Sequence, residues 1–157
     1  MISDWNSADG REKLALGMSV EEKLFKKLSR GGDEVIWKSQ EGGDALYVGW
    51  DMMWRGKTIE IKSNEGWDWK WNRPYDTVCV ELVTKAGRPI GWYEGKSDVV
   101  AFVNRKTGDC YFYRAALLRD FVEGKQRFVR YNAECVKVKW NSGPEAGFIK
   151  KISLNME

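Results

Sequence analysis

The stretch Asp51-Met52-Met53-Trp54-Arg55-Gly56-Lys57-Thr58-Ile59-Glu60-Ile61-Lys62 constrains this chain more than any other. Read as two strands joined by a two-residue turn at Arg55-Gly56, it pairs Trp54 with Lys57 and sets Asp51 directly across from Glu60. Opposite residues of a hairpin share a face, so two carboxylates meet. Lys62 follows Glu60 by two positions and projects from that same face, because strand side chains alternate with a period of two. Two acids and one ammonium then converge, an arrangement suited to a divalent metal ion held beside a phosphate. The competing reading is a solvated ion-pair cluster, since Glu-x-Lys also occurs on many exposed strands.

Histidine is absent from the chain. Its absence removes Ser-His-Asp, Cys-His and histidine-ligated metal chemistry together, leaving carboxylates and lysine to carry any catalysis. The three cysteines, Cys79, Cys110 and Cys135, are odd in number, widely spaced and set in apolar runs, which reads as reduced, packed thiols. A length of 157 residues suits one domain with a substantial core. The expected organisation is therefore one unit over 1–157. No run approaches the length of a membrane span and no secretory signal is visible, so an intracellular protein is expected. A net charge of +3 permits a polyanion partner without announcing one, whereas nine tryptophans beside Lys and Arg suit base stacking as well as a core.

Along the chain, residues 1–18 read as an N-terminal arm. Ser19-Val20-Glu21-Glu22 has the form of a capping box, with Ser19 as N-cap and Glu22 reaching back to its backbone N–H, so a helix is expected over 19–30. Leu24, Phe25 and Leu28 form its apolar stripe and Gly31-Gly32 its stop. Glu21 lies on the stripe side, either turned inward toward a partner or at the edge reaching water.

Strands are expected over 33–39, 44–54 and 57–63. In the segment 64–74 a tryptophan recurs at every second position, and in strand form Trp67, Trp69 and Trp71 share one side. Further strands are expected over 76–84 and 99–103, the latter apolar enough to be central. Residues 105–109 make a hairpin turn into 110–113. A helix over 114–123 is expected to turn Leu117, Leu118, Phe121 and Val122 inward, before strands at 128–131, 134–140 and 148–154.

A helix, a strand, an acid-bearing hairpin and then more strands resemble the PD-(D/E)XK nuclease superfamily, whose signature is an Asp near the end of one strand and Glu-x-Lys on the next. Asp51 and Glu60-Ile61-Lys62 match it, with Trp50 standing where the signature has Pro. Asp76-Thr77-Val78-Cys79-Val80-Glu81, Gly91-Trp92 and Ser97-Asp98-Val99-Val100-Ala101-Phe102 resemble downstream segments of small phage- or plasmid-type members. The resemblance spans 19–104 and leaves 105–157, a hairpin, helix and strands, unplaced. It implies an α/β restriction-endonuclease-like core with a mixed central sheet flanked by helices, and a Mg²⁺-dependent endonuclease acting on DNA, with Mn²⁺ as a substitute metal. Asp51, Glu60 and the Ile61 carbonyl would be metal ligands and Lys62 the group beside the attacking water, while Glu21 resembles the extra helical glutamate of many members.

Lys57, Ser63, Trp67, Trp69, Lys70 and Arg73 are candidate nucleic-acid contacts, although the indoles fit packing beneath a loop equally well. Glu81 is either a support for the site or a surface acid. The Val/Lys alternation at 136–139 reads as a solvated sheet face. Duplex, single-stranded and branched DNA all fit such a site, and a homodimer is an expected arrangement for duplex cleavage. A phage-encoded member would act in the host cytoplasm. Two alternatives are a nucleic-acid-binding relative without turnover and a phage protein that inhibits a host factor by binding protein.

Overall fold

The computed structural model describes residues 8–38, 50–68, 70–130 and 132–154. Helix α1 spans Ala8–Ser29, eleven residues longer at its start than the expected helix from Ser19. The run Arg11-Glu12-Lys13-Leu14-Ala15-Leu16 consists of strong helix formers, and the cost of Gly17 and Ser19, about 1 kcal/mol or less each, does not stop it. Ser19 is thus an exposed mid-helix residue and the capping box is not formed. Glu22 instead pairs with Lys26 one turn on, at 3.1 Å. Val20, Leu24 and Leu28 are buried, with Phe25 packed partly against them.

The main sheet contains six strands: β1 (Val35–Trp37), β2 (Met52–Trp54), β3 (Lys57–Asn64), β7 (Val99–Asn104), β8 (Asp109–Arg114) and β11 (Phe148–Ser153), in the order β1-β2-β3-β7-β8-β11. Every neighbouring pair is antiparallel except β3 and β7, so the sheet is mixed. Trp54 pairs with Lys57 as the sequence requires, and both turn residues have positive φ, 51° at Arg55 and 74° at Gly56. Residues 39–49 lie outside the described residues, so the outer part of the expected 44–54 strand does too.

Buried along its whole length, β7 is the central strand. Its odd-numbered residues Val99, Ala101 and Val103 join Met52, Ile59 and Phe112 against α1, while Val100 and Phe102 face the other way. On that second face sits a three-stranded antiparallel sheet of β6 (Thr77–Thr84), β10 (Ala133–Lys139) and β9 (Phe128–Arg130), in that order. Val78, Val80, Leu82, Val136 and Val138 line the interface with Trp92 and Tyr113. The main sheet is therefore covered by one helix on one face, and on the other mainly by a second sheet rather than by helices. Helices α2 (Gly91–Glu94) and α3 (Ala115–Val122) fill in beside that second sheet.

Two local expectations are corrected. In α3, Ala115, Leu118 and Val122 take the buried positions, and Leu117 is 39% exposed at the rim. Gly147 packs closely enough there that a Cβ would stand 2.8 Å from the Leu117 Cβ, so that side is closed by backbone rather than by core. The tryptophan-rich segment is not one extended strand: β4 (Trp67–Asp68) folds back on β5 (Arg73–Pro74) as a short hairpin. The Asp68 carboxylate accepts the N–H groups of Lys70 at 3.0 Å and Trp71 at 3.4 Å, an Asx-type turn that outcompetes extension.

Candidate active site

Asp51 immediately precedes β2 and is held by backbone on both sides. Its N–H donates to the Ile59 carbonyl at 2.8 Å, and its own carbonyl accepts the Lys38 N–H at 2.9 Å. The β2–β3 ladder ends at the Met52–Ile59 pair, so Asp51 lies one residue beyond it, tied to the Ile59 carbonyl in the manner of a β-bulge rather than paired with Glu60 as the sequence suggested. Asp51 Oδ2 accepts the Ile61 N–H at 2.6 Å, so the carboxylate caps the edge of β3 where β2 begins. The Ile61 carbonyl, two residues beyond that of Ile59, points to the same edge by the alternation of strand geometry.

Glu60 faces the second sheet, on the side of β3 opposite Ile59, and is 7% exposed. Its Oε1 accepts the backbone N–H of Trp92 at 3.1 Å, the second residue of α2. Trp92 is itself fully buried, and its indole N–H donates to the Glu81 carbonyl at 3.0 Å on β6. The other Glu60 oxygen, Oε2, is buried without a hydrogen-bond partner and lies 3.6 Å from Lys62 Nζ. Lys62 keeps 37% of its side chain exposed, although its charged end is desolvated among the three acids.

Burial pushes the Asp51 carboxyl up, against the Ile61 N–H and the Lys62 charge, which hold it down. Glu60 is also raised, by burial first and by the Asp51 charge, over the opposition of Lys62 and the Trp92 N–H. For both acids, burial thus outweighs the positive charge that Lys62 supplies. For Lys62, desolvation pulls downward, but the fields of Glu60, Glu81 and Asp51 outweigh it and raise the ammonium. A lysine raised in this way stays protonated at neutral pH, which suits charge stabilisation and excludes it as a general base there.

The structure therefore brings Asp51, Glu60 and Lys62 together, with the Glu81 charge close enough to act on Lys62. Glu21 is placed elsewhere in the pattern: on α1, it accepts the Trp37 indole N–H at 2.9 Å, on the side of the sheet that α1 covers. Lys57 lies at the turn end of β3, beside Trp54, Ile59 and Phe112 in an apolar cleft, and faces away from Lys62. Ser63 accepts a bond from Arg105 at 3.1 Å. Lys70 and Arg73 are exposed on the β4–β5 hairpin, where Lys70 stands 5.5 Å from the Trp71 ring. Trp67 opens β4, and Trp69 lies outside the described residues.

Three contributors escape a sequence reading. The Trp92 N–H is a backbone group, so its part in fixing Glu60 carries no side-chain signature. Asp98 pins the parallel joint of β3 and β7, its Oδ2 accepting the Thr58 N–H at 3.0 Å and the Thr58 hydroxyl at 3.2 Å. Trp71, 63% exposed, is an indole of the hairpin that reaches solvent.

Among the described residues no group of three or more His, Cys, Asp or Glu side chains is gathered as a metal cage. Among them, too, no helix is long and apolar enough to cross a membrane. No known protein family, curated protein or solved structure matches the chain.

Proposed function

We propose that this protein is a metal-dependent nuclease of the PD-(D/E)XK type, built on a restriction-endonuclease-like core and hydrolysing DNA phosphodiester bonds at Asp51, Glu60 and Lys62. The observation that carries the reading is the buried Glu60 Oε2, which has no hydrogen-bond donor yet sits in a cluster with Asp51 and Lys62. A buried carboxylate oxygen is costly, and the Lys62 ammonium at 3.6 Å offsets that cost without supplying a hydrogen bond, which leaves the oxygen open to a further ligand. Support for the core comes from the order of elements: a long helix, the acid-bearing β2–β3 hairpin, and a parallel joint from β3 to a fully buried β7.

Asp51, Glu60 and the Ile61 carbonyl are hard oxygen donors, and Mg²⁺ characteristically takes only one or two protein carboxylates, completing its shell with water and phosphate oxygens. The donor set fits that ion without a three-acid cage. When bound there, Mg²⁺ would supply an activated water and neutralise charge on the phosphate. The chain's own contribution is preorganisation. The Ile61 and Trp92 N–H groups each occupy one carboxylate oxygen, fixing the orientation of the acids. Lys62, held protonated by the surrounding acids, would place its ammonium beside the incoming phosphate and the negative charge that grows in the transition state.

Two rivals come from other classes. A relative that binds nucleic acid without turnover has no need of an intact Asp51, Glu60 and Lys62. A protein-binding inhibitor would use an exposed aromatic such as Trp71, yet Lys70 and Arg73 flank it and Asp68 is consumed in the turn, which favours a polyanion. The deciding experiment incubates purified protein with single-stranded, duplex and branched DNA and with RNA, in Mg²⁺, Mn²⁺ or EDTA. Cleavage of a DNA substrate with metal and none in EDTA is expected. Intact substrates under every metal condition would contradict the reading.

A further inference from the structure

The outer face of the β6-β10-β9 sheet holds a second cluster that the catalytic reading does not use. Register places its members. Phe128 pairs with Cys135 and Arg130 with Ala133 across β9 and β10, while Lys137 and Cys135 pair with Cys79 and Glu81 across β10 and β6. With a period of two, Phe128, Arg130 and Lys137 share one face. Lys125 and Gln126, in the turn that follows α3, come up beside them. Together these five residues line an open cleft of about 630 Å³ whose lining carries three cations and no carboxylate.

Nearby acids are already engaged. Glu123 accepts the Tyr93 hydroxyl, and Glu134 lies 4.0 Å from Arg127. An acid on the cleft's own face, Glu81, sits on the edge strand β6 opposite Cys135, diagonal to Lys137, and its charge also acts on Lys62. Two of the three cations rest on aromatic rings, Lys137 Nζ 5.7 Å from the Phe128 ring and Lys125 Nζ 4.3 Å from that of Phe121, while Arg130 Nη1 donates to Cys79 Sγ at 3.0 Å. Cations parked on ring faces can exchange those faces for phosphate oxygens, and doing so uncovers Phe128 for a flat partner.

We propose that this cleft binds a single-stranded segment of nucleic acid, with Lys125, Arg130 and Lys137 on successive phosphates and a base stacked on Phe128. The choice of nucleic acid over another polyanion rests on the nuclease reading. Charge complementarity selects a polyanion, and the central aromatic selects one with exposed flat bases, which a duplex does not offer.

The test measures binding of a fluorescently labelled single-stranded DNA oligonucleotide by the full chain, in EDTA, over a salt series. The double variant Lys125→Gln/Lys137→Gln changes two exposed side chains and removes two phosphate contacts. Its slope of log affinity against log salt should be shallower by about 1.4, at roughly 0.7 per contact on a single strand. Phe128→Leu should weaken single-strand binding about tenfold while keeping the wild-type slope, and should spare duplex.

A double variant with the wild-type slope, no binding by wild type, or displacement of the oligonucleotide by a polyglutamate peptide as readily as by unlabelled DNA would each overturn the proposal. Equal losses on duplex and single strand for Phe128→Leu would overturn it as well. The nuclease reading is judged apart, by cleavage. A cleaving protein whose double variant keeps its slope loses only the cleft, and a slope change without cleavage in any metal loses only the nuclease.

Discussion

At the scale of single residues, Glu60 carries a burial cost that its ion pair with Lys62 does not cancel. Its carboxylate is buried, one oxygen has no hydrogen bond, and both it and Asp51 are raised by burial. For an acid raised in the folded state, the native protein holds protons that the unfolded chain has released, so stability falls as pH climbs between the unfolded and the folded pKa values. Metal-free protein should accordingly lose stability to urea as pH rises through and just above the ordinary carboxylate range, and then level off. Glu60→Gln should flatten that dependence, and an unchanged curve would show that Glu60 is not the source. The cysteines allow an independent check of burial at this scale. Burial pushes the Cys135 thiol up to about 11 and raises Cys110 further, whereas Cys79 is partly exposed. A thiol-reactive chromophore at pH 8 should modify Cys79 first and the other two only on unfolding, as followed by labelling stoichiometry with peptide mapping.

At the scale of elements, legibility follows how local the determining forces are. The β2–β3 hairpin is readable because Arg55-Gly56 accepts positive φ at both turn positions and alternation fixes the shared face of Glu60 and Lys62, whereas Asp51 falls just outside the paired residues. The start of α1 was misread because a capping signature at Ser19 competes with the summed propensity of the residues before it, and the sum wins. Alternating tryptophans looked like a strand, yet the Asp68 side chain bonds two backbone N–H groups ahead of it and turns the chain. That hairpin is anchored through Gly66, where φ is +69° and a Cβ would lie 2.3 Å from Asn104 Nδ2, a buried residue whose Oδ1 accepts the Lys106 N–H at 2.9 Å. Gly66→Ala should therefore cost about 1–3 kcal/mol in chemical denaturation, from the strained backbone and the displaced Asn104. A change below a few tenths would mean that the hairpin base yields freely.

For the whole molecule, a mixed central sheet is what the resemblance implies, but its six strands and the second sheet that covers one face are not. The pairings β6 with β10 and β3 with β7 join residues far apart in sequence, and local periodicity carries no record of which distant strand is the partner. Those pairings nonetheless build the site, because β6 and α2 bring the Trp92 N–H to Glu60 and the Glu81 charge toward Lys62. If the site holds a cation, binding must stabilise the entire fold by mass action, about 2.7 kcal/mol at a hundredfold excess over the dissociation constant. Mg²⁺ should raise the melting temperature of the wild type and leave Asp51→Asn/Glu60→Gln unmoved, and a shift of equal size in both would place the ion elsewhere. The central claim is that Asp51, Glu60 and Lys62 hydrolyse phosphodiester bonds, and single-turnover cleavage by wild type and Lys62→Ala, each saturating the same DNA in Mg²⁺, tests it most directly. The account predicts a rate lower by about a hundredfold or more for Lys62→Ala with DNA affinity nearly unchanged; equal rates for the two proteins would contradict it.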